Sequence, residues 1–249
     1  MFNNSDFDRY ADIYSRLFES VYPAKNSTGF PERNLTVNFC QAQEQEATSL
    51  FEMQFGSNNR EHMDGVILSD RIETNRTLGL IESKRYKSKS AVWSVGRDIG
   101  RIYRFYYELK RESLSPKTRR IDMSIVGKVI GCELADVWIE NRFKMDVRDA
   151  YKQGFFLDKY KTEIYSGIIA GLQLPPKTSA QVASMVYDQV QGSVCYDVKD
   201  IMSPNWPENY TLVSFFWEII DDKIIHDALF ESFEVVNIEE LELDETQLK

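Results

Sequence analysis

Three charged residues lie in two short apolar segments at a spacing that suits hydrolytic chemistry. Asp64 is in MDGVIL (63–68), and Glu82 and Lys84 are in LGLIESKRY (78–86). If the second segment is a strand, its period of two places Glu82 and Lys84 on one face. Carboxylate oxygens suit Mg²⁺ or Mn²⁺, with water and phosphate completing the coordination. Lys84 would then orient or deprotonate a water, or stabilise charge on a phosphate under attack.

A three-stranded meander would bring these residues together. The alternating segment SLFEMQF (49–55) predicts a first strand, and the two segments above predict the second and third. The short connections between them favour antiparallel pairing. Across the second hairpin, Asp64 and Glu82 would meet at one end of the sheet, where the Ser83 carbonyl can add a further metal ligand.

A glutamate and a lysine two residues apart are by themselves a common chance pattern. Glu108-Leu109-Lys110 is a second copy in this chain. In the alternative interpretation, Asp64 caps a turn, while Glu82 and Lys84 form an exposed cross-strand ion pair. Against that alternative, Glu82 follows the apolar stretch 78–81, as on a buried central strand, where an unpaired charge is costly.

These segments resemble the PD-(D/E)xK nuclease superfamily, which includes the restriction endonucleases. The resemblance is carried by HMDGVIL (62–68) and LIESKRY (80–86), with a basic helix from Ser90 behind them. Met63 stands where the name of the motif has proline. The resemblance covers residues 34–108, so most of the chain lies outside it.

The resemblance implies a metal-dependent nuclease, a hydrolase of phosphodiester bonds, with DNA as the expected substrate; RNA as substrate, and endonuclease versus exonuclease action, are left open. It implies a restriction-endonuclease-like catalytic core at 34–130, in which Asp64, Glu82 and the Ser83 carbonyl hold Mg²⁺, and Mn²⁺ can substitute. A homodimer is a further expectation, since many such nucleases cut both strands as dimers. A catalytically silent nuclease-like fold, serving as an interaction or nucleic-acid-binding module, is the alternative function.

Many members of the superfamily add a glutamate from the helix before the first strand. Glu44 and Glu46 are both available here. We favour Glu44 as the catalytic carboxylate because Asn38, Gln41 and Glu44 would form one polar stripe on that helix, but Glu46 remains open.

The charge of the chain is strongly polarised. The formal net charge is −9, which taken alone argues against a polyanionic partner. Residues 71–120, however, hold fourteen basic and five acidic side chains, a net charge of +9. Such a segment predicts phosphate contacts, and a solvated helix face is the alternative. The candidate nucleic-acid-binding residues are Arg85, Lys87, Lys89, Arg97, Arg101 and Arg104.

The remaining pattern predicts an α/β protein, with a mixed central sheet flanked by helices and an α-rich C-terminal elaboration. We expect a single domain over 1–230 and an acidic C-terminal tail over 231–249. Hydropathy periods predict helices at 6–22, about 34–46, from Ser90, across most of 139–170 and from 178 or 179 to 190, and strands at the start of 123–138 and at 209–220.

Several classes of protein are disfavoured. No run of about 18 apolar residues is present, so no membrane association is expected. The first residues are acidic where a secretory signal needs basic and then apolar residues, which favours a cytoplasmic location. The widely spaced Cys40, Cys132 and Cys195 form neither a disulfide framework nor a zinc motif. The chain also lacks the glycine-rich motifs of ATP and dinucleotide sites.

Overall fold

The computed structural model describes residues 4–20, 32–43, 47–55, 61–69, 75–139, 141–201 and 210–231. Its helices are α1 (Asn4–Ser20), α2 (Arg33–Gln43), α3 (Ser90–Ser113), α4 (Arg142–Lys152), α5 (Phe156–Lys159), α6 (Lys161–Leu172) and α7 (Pro176–Ser193), followed by α8 (223–231). Its strands are β1 (Ala47–Phe55), β2 (Glu61–Ser69), β3 (Arg76–Arg85), β4 (Val126–Trp138), β5 (Cys195–Ile201) and β6 (Tyr210–Glu218).

Within these ranges, six strands form one mixed sheet in the order β1-β2-β3-β4-β6-β5. β1, β2 and β3 are antiparallel neighbours, as the predicted meander requires. α3 then connects β3 to β4, which lies parallel to β3. β6 pairs with β4, and β5 pairs with β6, both in antiparallel orientation. The prediction of a mixed central sheet flanked by helices is therefore confirmed.

Helices cover both faces of the sheet. α1 and α2 pack on one face, where Phe39 and Ile81 belong to the same buried core. α3 to α8 pack on the other, where Ile99, Leu78 and Leu80 belong to a second core. The side chains of β3 alternate between these two cores, as a strand buried on both faces must. This alternation sends the even-numbered residues of β3 toward α3.

The C-terminal part of the chain contributes more than helices. The apolar run predicted at 209–220 is β6, which extends the sheet beside β4. β4 itself continues past residue 130, where the predicted core ended. β5 was not predicted, because its sequence CYDVKDI has no apolar run. It is a partly exposed edge strand, which does not need one.

The predicted acidic tail, 231–249, lies outside the described residues except for residue 231, which ends α8.

α3 and α6 cross with their backbones in contact. Gly96 and Gly100 of α3 face α6, and Gly167 and Gly171 of α6 face α3. A β-carbon added at Gly167 would lie 2.1 Å from the carbonyl oxygen of Trp93. Glycine allows this approach because it has no side chain to separate the backbones. The distance between the two helices is thus set by main-chain contact.

We predict that Gly167→Ala destabilises the protein. The added methyl group overlaps the backbone of α3, and overpacking of this kind costs roughly 1–3 kcal/mol. The measurement is the free energy of unfolding from urea denaturation. Gly192→Ala is the matched control, because a β-carbon at Gly192 of α7 meets nothing within 4 Å. That control should be neutral or gain up to about 1 kcal/mol from helix propensity. Equal effects of the two substitutions would contradict the close crossing.

Candidate functional site

Asp64 lies where β2 and β3 stop pairing. The backbone ladder of the two strands runs as far as Gly65 and Ile81. Asp64 precedes Gly65 in β2, just beyond this ladder. Its carboxylate accepts a hydrogen bond from the Ser83 N–H, with 2.9 Å between Oδ2 and N. The side chain replaces a strand carbonyl as acceptor and is thereby held close to Glu82, whose ionisation it opposes.

Glu82 and Lys84 lie on the face of β3 that α3 covers. Lys84 Nζ is 2.7 Å from Asp98 Oδ2, and Arg101 Nη1 is 3.4 Å from Glu82 Oε1. Both partners belong to α3. Glu82 is only 2% exposed, so the alternative of an exposed cross-strand ion pair does not hold. The structure brings Asp64, Glu82 and Lys84 together at one end of β3.

Asp98 connects the two cations of the site. It is fully buried in α3 and pairs with Lys84 and with Arg101, whose Nη1 lies 3.2 Å from Asp98 Oδ1. Arg101 also donates a hydrogen bond to the carbonyl of His62 on β2. One buried carboxylate thus links α3 to β3 directly and to β2 through Arg101.

Glu133 adds a further buried acid. It lies on β4 directly beside Glu82 in the parallel register and is 0% exposed. Within the described residues, neither carboxylate oxygen of Glu133 has a hydrogen-bond partner, and neither has Glu82 Oε1. We call the following six residues the carboxylate cluster: Asp64, Glu82, Lys84, Asp98, Arg101 and Glu133. It contains four acids and two bases.

The excess of acids, together with burial, raises pKa values in the cluster. Burial raises the pKa of Glu82 well above its usual range, and Asp98 and Asp64 raise it further. Burial also raises the pKa of Glu133, with Asp98 as the next contribution. Burial lowers the pKa of Lys84, but the charges of Asp98 and Glu133 outweigh this effect, and the net pKa is raised. The cluster therefore favours additional positive charge and keeps Lys84 protonated.

The acids of the cluster suit a divalent cation that keeps much of its water. In the described part of the chain, no group of three or more Asp, Glu, His or Cys side chains is arranged so that it could hold a metal ion. Mg²⁺, however, commonly binds through one or two carboxylates and retains several waters. Asp64 and Glu82 supply two carboxylates, and the buried Glu82 Oε1 makes no hydrogen bond within the described residues, although Arg101 Nη1 lies 3.4 Å away in an ion pair. This oxygen is the observation that fits a metal.

The structure describes two of the three residues of the polar stripe predicted on the helix before β1. Glu44 and Glu46 lie outside the described residues. Asn38 is buried near Tyr14 of α1, whereas Gln41 is exposed. Because Asn38 is buried and Gln41 is exposed, these two residues do not form one polar face, and they do not favour Glu44 over Glu46.

The six predicted nucleic-acid-binding residues separate into three groups. Arg101 belongs to the carboxylate cluster. Lys87 and Lys89 are exposed between β3 and α3, and the side chain of Arg97 is 46% exposed. Arg85 and Arg104 are buried and form ion pairs, so we do not place them on a nucleic-acid surface.

The burial of Arg85 has a clear structural reason. Arg85 lies on the face of β3 opposite Glu82, where Nη2 is 2.6 Å from Asp136 Oδ2 and Nε is 2.9 Å from Oδ1. The Tyr210 hydroxyl donates to the same Asp136 carboxylate at 2.8 Å. This arrangement joins β3, β4 and β6. Arg104 similarly pairs with Glu61 of β2 at 2.7 Å.

Two residues of the cluster were missed at the level of sequence, although each left a signal. Asp98 occurs at helical spacing between the buried Val95 and Ile102, so an acid stands on the apolar face of α3. Glu133 interrupts the apolar run 129–135 of β4. In both cases a charge at a core position marks a group that needs a partner or a ligand.

We predict that Asp136→Ala strongly destabilises the protein. The substitution leaves the buried Arg85 guanidinium without its carboxylate, and breaking a buried ion pair costs roughly 3–5 kcal/mol. Chemical denaturation measures this loss. The control is Asp221→Ala, which removes the half-exposed partner of Lys110 and should cost at most about 1 kcal/mol. A loss of that small size for Asp136→Ala would show that Arg85 is not held as described.

A scan against models of known protein families, a search of curated proteins and a search of solved structures each found no match to this chain. None of the helices in the described ranges is both long and apolar enough to cross a membrane.

Proposed function

We propose that the protein is a metal-dependent nuclease that hydrolyses phosphodiester bonds, with DNA as its substrate. The observation that carries the proposal is the position of Asp64, whose carboxylate is bonded to the Ser83 amide next to Glu82. Lys84 lies on the same face of β3 as Glu82. Two carboxylates and an ammonium group at one strand end are the groups that metal-assisted phosphodiester hydrolysis uses.

Asp64, Glu82 and the Ser83 carbonyl would hold Mg²⁺, or Mn²⁺ in its place. Such an ion, when bound, supplies a Lewis acid for the phosphoryl oxygen and lowers the pKa of a bound water. The Ser83 amide orients Asp64 by its hydrogen bond, and burial against α3 limits the motion of Glu82. Glu44 and Glu46 are given no part in this proposal, because α2, which precedes them, packs on the face of the sheet opposite Glu82, and Ala47, which follows them, pairs with Ser69 at the other end of β2 from Asp64.

Lys84 is better suited to stabilising negative charge than to removing a proton. Its ion pair with Asp98 is 2.7 Å long, and its pKa is raised by Asp98 and Glu133. A lysine with a raised pKa stays protonated at neutral pH and is a poor general base. Lys84 would therefore stabilise the charge that develops on the phosphate, and Asp98 would fix its position.

The exposed cations next to the cluster extend the proposed site. Lys87 and Lys89 follow β3 directly, and Arg97 lies on the first half of α3. Their positions would let them contact backbone phosphates on one side of the cluster. Contacts of this kind contribute affinity without sequence preference and weaken as salt rises.

One observation favours the alternative of a silent nucleic-acid-binding module. Arg101 Nη1 lies 3.4 Å from Glu82 and 3.2 Å from Asp98, so a guanidinium already supplies positive charge to these acids. In a silent module, Arg101 would take the place of the metal permanently. In a nuclease, Arg101 and the metal would share the acids of the cluster.

Metal binding and cleavage together test the proposal. We predict that the wild-type protein binds Mn²⁺ in a calorimetric titration and cleaves a labelled DNA duplex only with a divalent metal. Asp64→Asn and Glu82→Gln should abolish both. Lys84→Ala should retain Mn²⁺ binding and lose roughly 10²–10³-fold in cleavage rate, the usual cost of removing a group that stabilises transition-state charge.

Lys110→Ala is the matched control. Lys110 follows Glu108 at the same spacing as Lys84 follows Glu82, but it pairs with Asp221, away from the cluster. Its replacement should leave cleavage unchanged. Metal-dependent cleavage that survives Asp64→Asn and Glu82→Gln would overturn the nuclease assignment. If the wild-type protein binds no Mn²⁺ at millimolar concentration but Arg101→Ala does, the silent module is the better description.

A further inference from the structure

A pocket opens beside the carboxylate cluster, between β2, α3 and the end of α6. It has a volume of about 350 Å³, and Asp64 forms part of its wall. We call it the β2–α6 pocket. Its principal lining residues are Glu61, His62, Asp64, Arg97, Arg101 and Gln173. The pocket therefore adjoins the proposed hydrolytic centre, and one wall comes from a helix outside the part of the chain that resembles a nuclease.

Arg97 supplies this pocket with an accessible positive charge. Its side chain is 46% exposed, and its guanidinium lies 4.0 Å from Asp98 Oδ1, at the limit of an ion pair. The same guanidinium lies 5.9 Å from the centre of the Trp93 ring, which restricts its orientation. Arg101, in contrast, is 14% exposed and engaged with Glu82 and Asp98. Arg97 is thus the pocket cation better placed to receive an anion.

Gln173 forms the rim of the pocket in a conformation that costs energy. Its backbone has φ 53° and ψ 34°, the left-handed region that favours glycine. Its side-chain Nε2 donates to Glu61 Oε1 at 3.0 Å, and Glu61 Oε2 accepts from Arg104 at 2.7 Å. This left-handed conformation ends α6, as it ends many helices, and the side-chain bond holds the Gln173 amide at the rim of the pocket.

We propose that the β2–α6 pocket is the subsite for the single nucleotide unit that adjoins the scissile phosphate. Arg97 binds the phosphate of that unit, and the Gln173 amide contacts its sugar or base. The volume is near the lower end of the range of roughly 300–1,000 Å³ for small-molecule sites, which suits one nucleotide. This inference rests on the proposed nuclease function, and it assigns α6 a part in substrate selection.

Binding without cleavage tests the subsite independently of catalysis. The background is the full chain with Asp64→Asn, in EDTA, which removes metal and one pocket charge while keeping an acceptor for Ser83. The probe is a fluorescein-labelled single-stranded DNA of twenty nucleotides, measured by anisotropy, with thymidine 5′-monophosphate as competitor. We expect Arg97→Ala to weaken probe binding roughly tenfold, as loss of a charge-assisted hydrogen bond does. The same substitution should weaken competition by the mononucleotide.

A second variant distinguishes a loss of probe binding from a loss of folding. Gln173→Gly removes the amide but relieves the left-handed strain, so it should unfold at the same or a higher temperature than its parent. It should still weaken probe binding roughly threefold. The control is Arg119→Ala, which removes an exposed arginine paired with Asp122 in the loop after α3 and should not alter binding. Equal affinity of the Arg97, Gln173 and Arg119 variants would overturn the subsite.

The outcomes separate this inference from the proposed function. Arg97-dependent binding in a protein that never cleaves DNA would retain the pocket as a nucleotide site and reject the nuclease. Metal-dependent cleavage whose KM is unchanged by Arg97→Ala would retain the nuclease and reject the subsite. If both hold, Arg97→Ala should raise KM roughly tenfold and leave kcat nearly unchanged, because it removes binding that substrate and transition state share.

Discussion

The ion pairs of Asp98 with Lys84 and Arg101 tie α3 to the charged end of β3. These groups are largely withdrawn from water, where an isolated charge would be too costly to bury. Each of them is tolerated because the others lie within contact distance. The same contacts keep Lys84 protonated and bring Arg101 against Glu82. The chemistry available at the site therefore depends on how accurately α3 is placed over the sheet.

That placement has a second determinant, the crossing of α3 with α6. Gly171 lines the β2–α6 pocket and also lies against the carbonyl of Arg97. One glycine thus takes part both in the helix crossing and in the wall of the cavity. Main-chain contacts are stiffer than contacts between long side chains, which adopt several rotamers. The dimensions of the pocket therefore depend on how closely the backbones of α3 and α6 approach each other. α6 and the residue that ends it therefore shape the surroundings of Asp64.

Strand alternation and the hairpin were enough to predict that Asp64, Glu82 and Lys84 lie close together. The alternation on β3 places Glu82 and Lys84 on one face whatever the tertiary fold, and the short hairpin brings Asp64 near them. Long-range pairing was not predictable in this way. Arg85 appears in the sequence as one more basic residue, whereas its partner Asp136 is 51 positions away on a strand that pairs in parallel. Parallel pairing follows from a helical crossover, so local hydropathy carries no information on its register.

The position of β6 has a consequence for how the molecule is made. β4 pairs with β3 on one side and with β6 on the other, and β6 begins only at Tyr210. A growing polypeptide that has just completed β4 exposes an unpaired apolar edge and lacks the Tyr210 hydroxyl that Asp136 accepts. Residues 210–218 must leave the ribosome before β4 is paired on both sides. Folding of β3 and β4 is therefore coupled to the later synthesis of β6, and a nascent chain that stalls before β6 presents an unpaired strand edge for chaperones to bind.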